Sequence, residues 1–272
     1  MKKVIPKSLE PFTYPNVREM FIPSPGHVIC ECDLSGADAQ VVAWEADDEE
    51  LKTAFRNGMD VHTKNGNDIL SRLKEPLILD PKGKDKKVRD EYKSAVHGTN
   101  YGGSAAAIAN HERVKWPISK AKLFQRIWLD ELHPNIRAWH RRTERDLLTT
   151  RTVRNAFGFH RVYFDRPDGV LPQALAWVPQ STVALVSFKG GIAVQESSLA
   201  WVRFLLQVHD SVVFEIPKAR IRDLPLIRPL LNIPVPYPDP LIIPCDIKLS
   251  DKSWGACKNV SWESLEGDTF RL

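Results

Sequence analysis

From Val28 to Leu34 the chain alternates. Val28, Cys30, Cys32 and Leu34 fall on one face of an extended strand, and Ile29, Glu31 and Asp33 fall on the other. After Ser35-Gly36 the pattern becomes helical from Ala37 to Glu45. Asp33 therefore has two readings. A carboxylate ending an otherwise buried strand is costly unless paired, and a divalent metal is a common partner. Alternatively, Asp33 caps the helix that follows. Upstream, residues 1–24 are punctuated by Pro6, Pro11, Pro15 and Pro23 around a short segment, Val17 to Phe21, and Pro25-Gly26 marks a turn.

The acidic stretch Asp47 to Glu50 is expected on a solvated helix face or end, and the pattern from there to Asn155 is mostly helical, with segments at Ile118–Leu132 and Asn135–Leu148. Aromatic and β-branched residues on either side of Gly158 predict a hairpin within 151–164. Helix is predicted again from Pro172 to Gln195. Between Phe204 and Ile216, two apolar runs flank His209-Asp210, which predicts a tight hairpin with the acid at its tip. Residues 217–244 hold eight of the 20 prolines and are expected to wrap the surface in extended form. Pro244 to Leu249 reads as a last strand, followed by a tail bearing Trp254.

The 272 residues suffice for one large domain or two closely joined ones. No apolar run approaches the ~20 residues of a membrane span, and no apolar h-region follows the basic start, so a cytoplasmic protein with no membrane partner is expected. A net charge of +4 permits a nucleic-acid partner without demanding one. Cys30, Cys32, Cys245 and Cys257 lack finger-like spacing, and the first two share the inward strand face, so reduced core thiols are expected.

Two polar stretches in the helical part carry candidate chemistry. Asp60-Val-His-Thr-Lys-Asn65 is weak by itself. In Val88 to Gly103, Arg89, Lys93, His97 and Tyr101 recur every four residues and form one stripe on a helix. A guanidinium, an ammonium and two rings suit a polyanion at one end and a flat base at the other. The alternative is a solvated face capped by Gly102-Gly103. Between them, the basic loop Pro81 to Lys87 either touches nucleic-acid phosphate or is a solvated charge run.

A strand ending in Asp33, a cationic helix ending in Tyr101-Gly102, Gln180 in a later helix and the Gln207-Val-His-Asp210 hairpin together resemble the palm and fingers of family A DNA polymerases. The resemblance runs from about Val17 to Trp254. It includes Phe157-Gly158 and Pro134 ahead of Ile136-Arg137-Ala138-Trp139, and Ser35-Gly36 and His62 to Asn65 bring it nearest the phage replicative branch. It implies an α+β fold: an antiparallel palm sheet from residues 1–50 and 151–272, with a helical fingers insertion at 51–150. It also implies a DNA-directed DNA polymerase that joins dNTPs to the 3′ end of a DNA primer–template. Two Mg²⁺ ions ~3.5–4 Å apart (or Mn²⁺ as substitute) would be held by Asp33, Asp210 and the Leu34 carbonyl. Arg89, Lys93 and His62 would hold the triphosphate, with Lys93 protonating the departing pyrophosphate. His97, Tyr101 and Asp38 would face the base and sugar. Gln180 and His209 would touch the primer–template minor groove, and Arg161 its backbone.

The sequence departs from the family pattern at four positions. His97 replaces a Phe or Tyr, Ser211 replaces the accessory Glu after the motif C Asp, and Gln40 replaces an Arg. Asp38 replaces the Glu that excludes a ribose 2′-hydroxyl; either the shorter side chain relaxes sugar selectivity or the backbone moves in to compensate. Only 32 residues precede Asp33, too few for a thumb or exonuclease. Either a split polymerase, with a second polypeptide supplying those parts in a bacterial or phage-infected cell, or an excised or minimal polymerase core of poor processivity is therefore expected, the split form being preferred. The rival reading is a catalytically silent subunit that binds primer–template or the replisome.

Overall fold

The computed structural model describes residues 16–266. Strand β1 (His27–Leu34) lies in the middle of a five-stranded sheet of order β4-β5-β1-β6-β7, antiparallel throughout; the others are β4 (Arg203–Val208), β5 (Ser211–Pro217), β6 (Cys245–Ser250) and β7 (Lys258–Val260). The alternation read from the sequence decides its faces. Val28, Cys30, Cys32 and Leu34 share the apolar face with Val212, Phe214, Ile216, Ile247 and Leu249, all buried. The opposite face carries Ile29, Glu31 and Asp33, in register with Glu215, Val213 and Ser211 on β5. Part of that face is a small apolar cluster of Ile29, Val213 and Trp254, with Leu206, Val208 and Cys257 packed against it. The four thiols are free, and Cys30 and Cys32 lie side by side at 3.8 Å.

The helices are α1 (Ala37–Ala46), α2 (Glu49–Arg56), α3 (Val61–Leu73), α4 (Lys86–Asn100), α5 (Ala105–Ala109), α6 (Ile118–Arg126), which runs into a π turn at Ile127–Leu132, and α7 (Pro134–Thr149). A two-stranded hairpin, β2 (Thr152–Arg154) and β3 (His160–Val162), and the long α8 (Pro167–Gln195) follow. The short α9 (Arg228–Leu231) and α10 (Trp262–Glu266) lie near the end. Each of α2 and α3 starts on an aspartate that accepts a backbone N–H: Asp48 from Leu51 and Asp60 from Thr63. Gly66 on α3 leaves room for Ile78 and for Tyr92 of α4, which a Cβ there would meet at 2.8 and 3.5 Å. Tyr92, Trp116 and Phe124 then pack as a ring cluster with centroids 5.0–6.1 Å apart.

By compactness the chain forms two units. One comprises the described residues up to Ser35, Ser187–Asn232 and those from Pro244 onward; the other comprises Gly36–Val186 and Ile233–Ile243. Compactness thus groups α1 with the helices, whereas the sequence reading groups residues 1–50 by function; the two divisions answer different questions.

Two expectations are corrected. Asp48 is not solvated: it is 5% exposed and bonded to the fully buried His133 at 3.0 Å. Nor does 217–244 simply wrap the surface. A 3-10 stretch, Lys218–Ile227, tolerates Pro225 and buries Leu224 and Ile227, while Val235, Leu241 and Ile243 are also buried.

Candidate active site

In the sheet-bearing unit, the turn between β4 and β5 is His209-Asp210, with His209 in the left-handed region at φ +54°. The Gln207 side-chain amide donates to the His209 carbonyl at 2.7 Å, which steadies the turn, and the His209 side chain is exposed. The Leu34 N–H donates to the Asp210 carbonyl at 3.0 Å. This bond brings the end of β1 beside the hairpin tip, so Asp33 and Asp210 are neighbours. Asp33 does not cap α1, whose N-cap is Gly36 at φ +57° without a side-chain cap bond.

Asp33 instead meets a cation from the other neighbouring strand. Lys248 Nζ donates to Asp33 Oδ2 at 2.8 Å and lies 3.4 Å from Glu31 Oε2. Burial works against the Lys248 charge, but the two carboxylates outweigh it and hold the ammonium pKa above its ordinary value. Asp246, directly opposite Asp33 in the register, accepts from the Ser35 hydroxyl at 2.8 Å.

The donor set fits magnesium. Asp33, Asp210 and the Leu34 carbonyl offer hard oxygens, and the Asp33 carboxylate already neutralises a cation in the form of an ammonium. Among the described residues no three His, Cys, Asp or Glu side chains converge to hold an ion by themselves. Mg²⁺ does not require that, since it keeps several waters and shares substrate phosphates.

In the helical unit, α4 presents the expected stripe, and Gly102 at φ +71° follows the Tyr101 C-cap. Asp38, His62, Lys93, His97 and Tyr101 line one shallow hollow. The Tyr101 hydroxyl donates to Asp38 Oδ2 at 2.7 Å, so the shorter acid still reaches the ring. Burial and the Asp38 charge push the Tyr101 pKa well up. The His97 and Tyr101 rings are tilted against each other at 4.3 Å. Burial, followed by the Lys93 and Arg89 charges, holds His62 down to about 4. His97 is also lowered, by burial first and by the Lys93 and His111 charges, while Asp38 opposes the shift.

Arg89 is committed elsewhere: it forks onto Asp60 at 2.9 and 2.7 Å and also reaches the Thr63 hydroxyl. Lys93 is exposed and has no ion-pair partner among the described residues. In the loop 81–87 the lysines are exposed, and Lys86 pairs with Asp90 at 2.5 Å.

Gln180 is exposed on α8, and Arg161 on β3 stacks over Tyr163 at 4.9 Å. Both belong to the helical unit, as does the stripe, whereas Asp33, Leu34, His209 and Asp210 belong to the sheet-bearing unit. Sequence reasoning did not find Lys248, nor the pairing of Asp60 with Arg89. The alternation Asp246-Ile247-Lys248 put two charged side chains on one strand face, but only the register shows which residues they oppose.

The chain matches the family model "DNA polymerase family A" over residues 5–233. It belongs to that family. Among similar family A proteins, a thermostable DNA polymerase I of Thermus filiformis is 27% identical over 237 residues, covering 83% of this chain and 27% of the relative. The DNA polymerase of Mycobacterium phage D29 is 24% identical over 253 residues, covering 93% of this chain and 39% of the relative. The solved POL domain of Pol1 from M. smegmatis, in complex with DNA primer-template and dNTP, has a TM-score of 0.71 at 22% identity and covers 89% of this chain and 42% of that one. The family A fold is therefore present as expected, an antiparallel sheet with helices. The chain spans between 24% and 39% of the length of the curated relatives. Among the described residues, no helix is long and apolar enough to cross a membrane.

Proposed function

We propose that this chain carries the polymerising chemistry of a template-directed DNA polymerase, extending a primer 3′ end with dNTPs in the cytoplasm of a bacterial or phage-infected cell. The observation that carries this reading is the Leu34 N–H bond to the Asp210 carbonyl, which makes neighbours of two acids 177 positions apart in a family A chain. In this reading residues 1–50 and 151–272 act as palm and 51–150 as fingers. Asp33, Asp210 and the Leu34 carbonyl hold two Mg²⁺ ions, with Mn²⁺ as substitute. Those ions supply charge neutralisation and activation of the 3′-hydroxyl.

The chain's own residues do the rest by positioning and electrostatics. Lys93 meets the triphosphate with Arg89 and His62 and gives a proton to the departing pyrophosphate. His97 and Tyr101 flank the base and sugar. Gln180, His209 and Arg161 contact the primer–template. The partner proposed for duplex grip and editing is a second polypeptide carrying thumb and exonuclease. Primer extension with Mg²⁺ tests the reading: the native chain, supplied with such a partner, extends, and Asp210→Ala does not. Extension by neither would favour the silent binding subunit.

Sugar selectivity separates a DNA polymerase from one with relaxed choice. A wall opened by one methylene would change discrimination by ~10-fold or more. With Asp38 bonded to Tyr101, Asp38→Glu should shift the dNTP-to-rNTP ratio by well under that amount. A tenfold gain in selectivity would restore the relaxed reading.

A further inference from the structure

Glu31 is a costly residue where it stands. It is 4% exposed, on a sheet face it shares with Ile29 and Val213, and a buried carboxylate has to be paired to be tolerated. Its partners point toward the acids at the end of the strand. Lys248, directly opposite Glu31 in the register, lies 3.4 Å from its carboxylate and donates to Asp33 at 2.8 Å. Arg18 approaches the other Glu31 oxygen at 3.6 Å. The Ser211 hydroxyl, opposite Asp33 and next in chain to Asp210, lies 3.5 Å from the same oxygen and donates to the Val208 carbonyl at 3.0 Å. The Glu31 carboxylate thus lies beside the position where motif C carries a serine instead of the accessory acid.

We propose that Glu31 supplies from β1 the accessory negative charge that Ser211 does not supply from β5, acting as a positioning residue through Lys248. The inference rests on the polymerase reading. One ammonium shared between two carboxylates has two places to be. When a divalent cation occupies Asp33, Lys248 must withdraw, and Glu31 is the carboxylate within reach that receives it. Without Glu31, Lys248 has only Asp33 among the described residues, and it competes with the metal for the same oxygens.

The test is Mn²⁺ affinity, read from the free-ion electron paramagnetic resonance signal without turnover. Removing a residue that orients a metal ligand commonly costs 10–100-fold in affinity. Glu31→Gln, equal in shape, should weaken Mn²⁺ binding by about tenfold. Adding Ser211→Glu to that variant should regain most of the loss. Lys248→Met should tighten binding, and Glu31→Gln should have little further effect in its presence. Native-like Mn²⁺ affinity in Glu31→Gln, or failure of Ser211→Glu to restore it, overturns the proposal. If Glu31→Gln does not fold, as judged by near-ultraviolet circular dichroism, Lys248→Met decides: unchanged or weaker binding there overturns it. Asp210→Ala separates the two levels. If that variant also binds Mn²⁺ like the native chain, the polymerase reading fails; if it loses Mn²⁺ while Glu31→Gln does not, only the role of Glu31 fails.

Discussion

The sheet and the cationic helix each carry one charged group with a counter-ion already in place, but the two pairs are built differently. On the sheet, Asp33 is held by Lys248, a single-point ammonium shared with Glu31. On α4, Arg89 is held by Asp60 through a two-point fork, and Asp60 also caps α3. A point charge between two acids can slide from one to the other. A fork onto a capping residue is geometrically fixed and does structural work. The sheet pair therefore reads as a place-holder for an incoming cation. The helix pair reads as a brace that leaves the exposed Lys93 as the readiest cation for a phosphate.

The largest effect should come from the acids. Asp33→Ala or Asp210→Ala should lower primer extension by ~10³-fold or more, since each removes charge that must be present in the transition state. Residual extension within tenfold of native would remove Asp33 and Asp210 from the chemistry.

Next is Lys93→Ala, for which a loss on the order of 10²-fold in kcat is expected, the low end for a missing general acid. The comparison sharpens if Arg89→Ala is measured beside it. Arg89→Ala should lower stability as well, because Asp60 loses its fork, while Lys93→Ala should not. Equal losses of stability in both would erase the distinction between brace and free cation.

The sequence shows the acids and the stripe because both depend on local rules. Period-two alternation put Asp33 on the face of Glu31, a two-residue turn between apolar runs put Asp210 at a tip, and a four-residue spacing aligned Arg89 with Tyr101. The counter-ions were not legible, because register between distant strands and helices decides them. Lys248 is 215 positions from Asp33, and Asp60 is 29 from Arg89. The same holds for Asp48, which reads as one of four surface acids until His133, 85 positions on, is folded against it. Residues 217–244 misled for a different reason: proline content argues against α-helix, but not against a 3-10 stretch that still buries Leu224 and Ile227.

A smaller effect is expected from loosening the brace itself. Asp60→Asn keeps an N-cap of equal quality for α3 and removes only the charge that holds Arg89. Burial favours the neutral acid, but the Arg89 and Thr63 bonds win and keep the Asp60 pKa far below its ordinary value. Because the pair is partly exposed, it is worth ~0.2–1 kcal/mol. Freed, Arg89 should lower the KM for dNTP by at most about fivefold, with a loss of stability of similar size. An unchanged KM would mean that Arg89 does not serve the triphosphate at all.

The smallest effect is a proton. His62 is neutral down to about 4 in the folded chain, through burial and then the Lys93 and Arg89 charges, with Asp60 opposing and His97 adding slightly. An unfolded histidine titrates near ~6.5, so between those values the unfolded chain binds more protons. This group's contribution to stability is therefore full above about pH 6.5 and falls as pH drops toward about 4. A triphosphate on the stripe reverses the sign of the local charge and should raise the His62 pKa. At about pH 5.5, binding should then take up a fraction of one proton, seen in calorimetry as a heat that scales with the buffer ionisation enthalpy. His97 is lowered in the same direction, so it is the rival group for taking up that proton. The two are told apart by His62→Gln, which abolishes the uptake if His62 is the group and leaves it intact if His97 is.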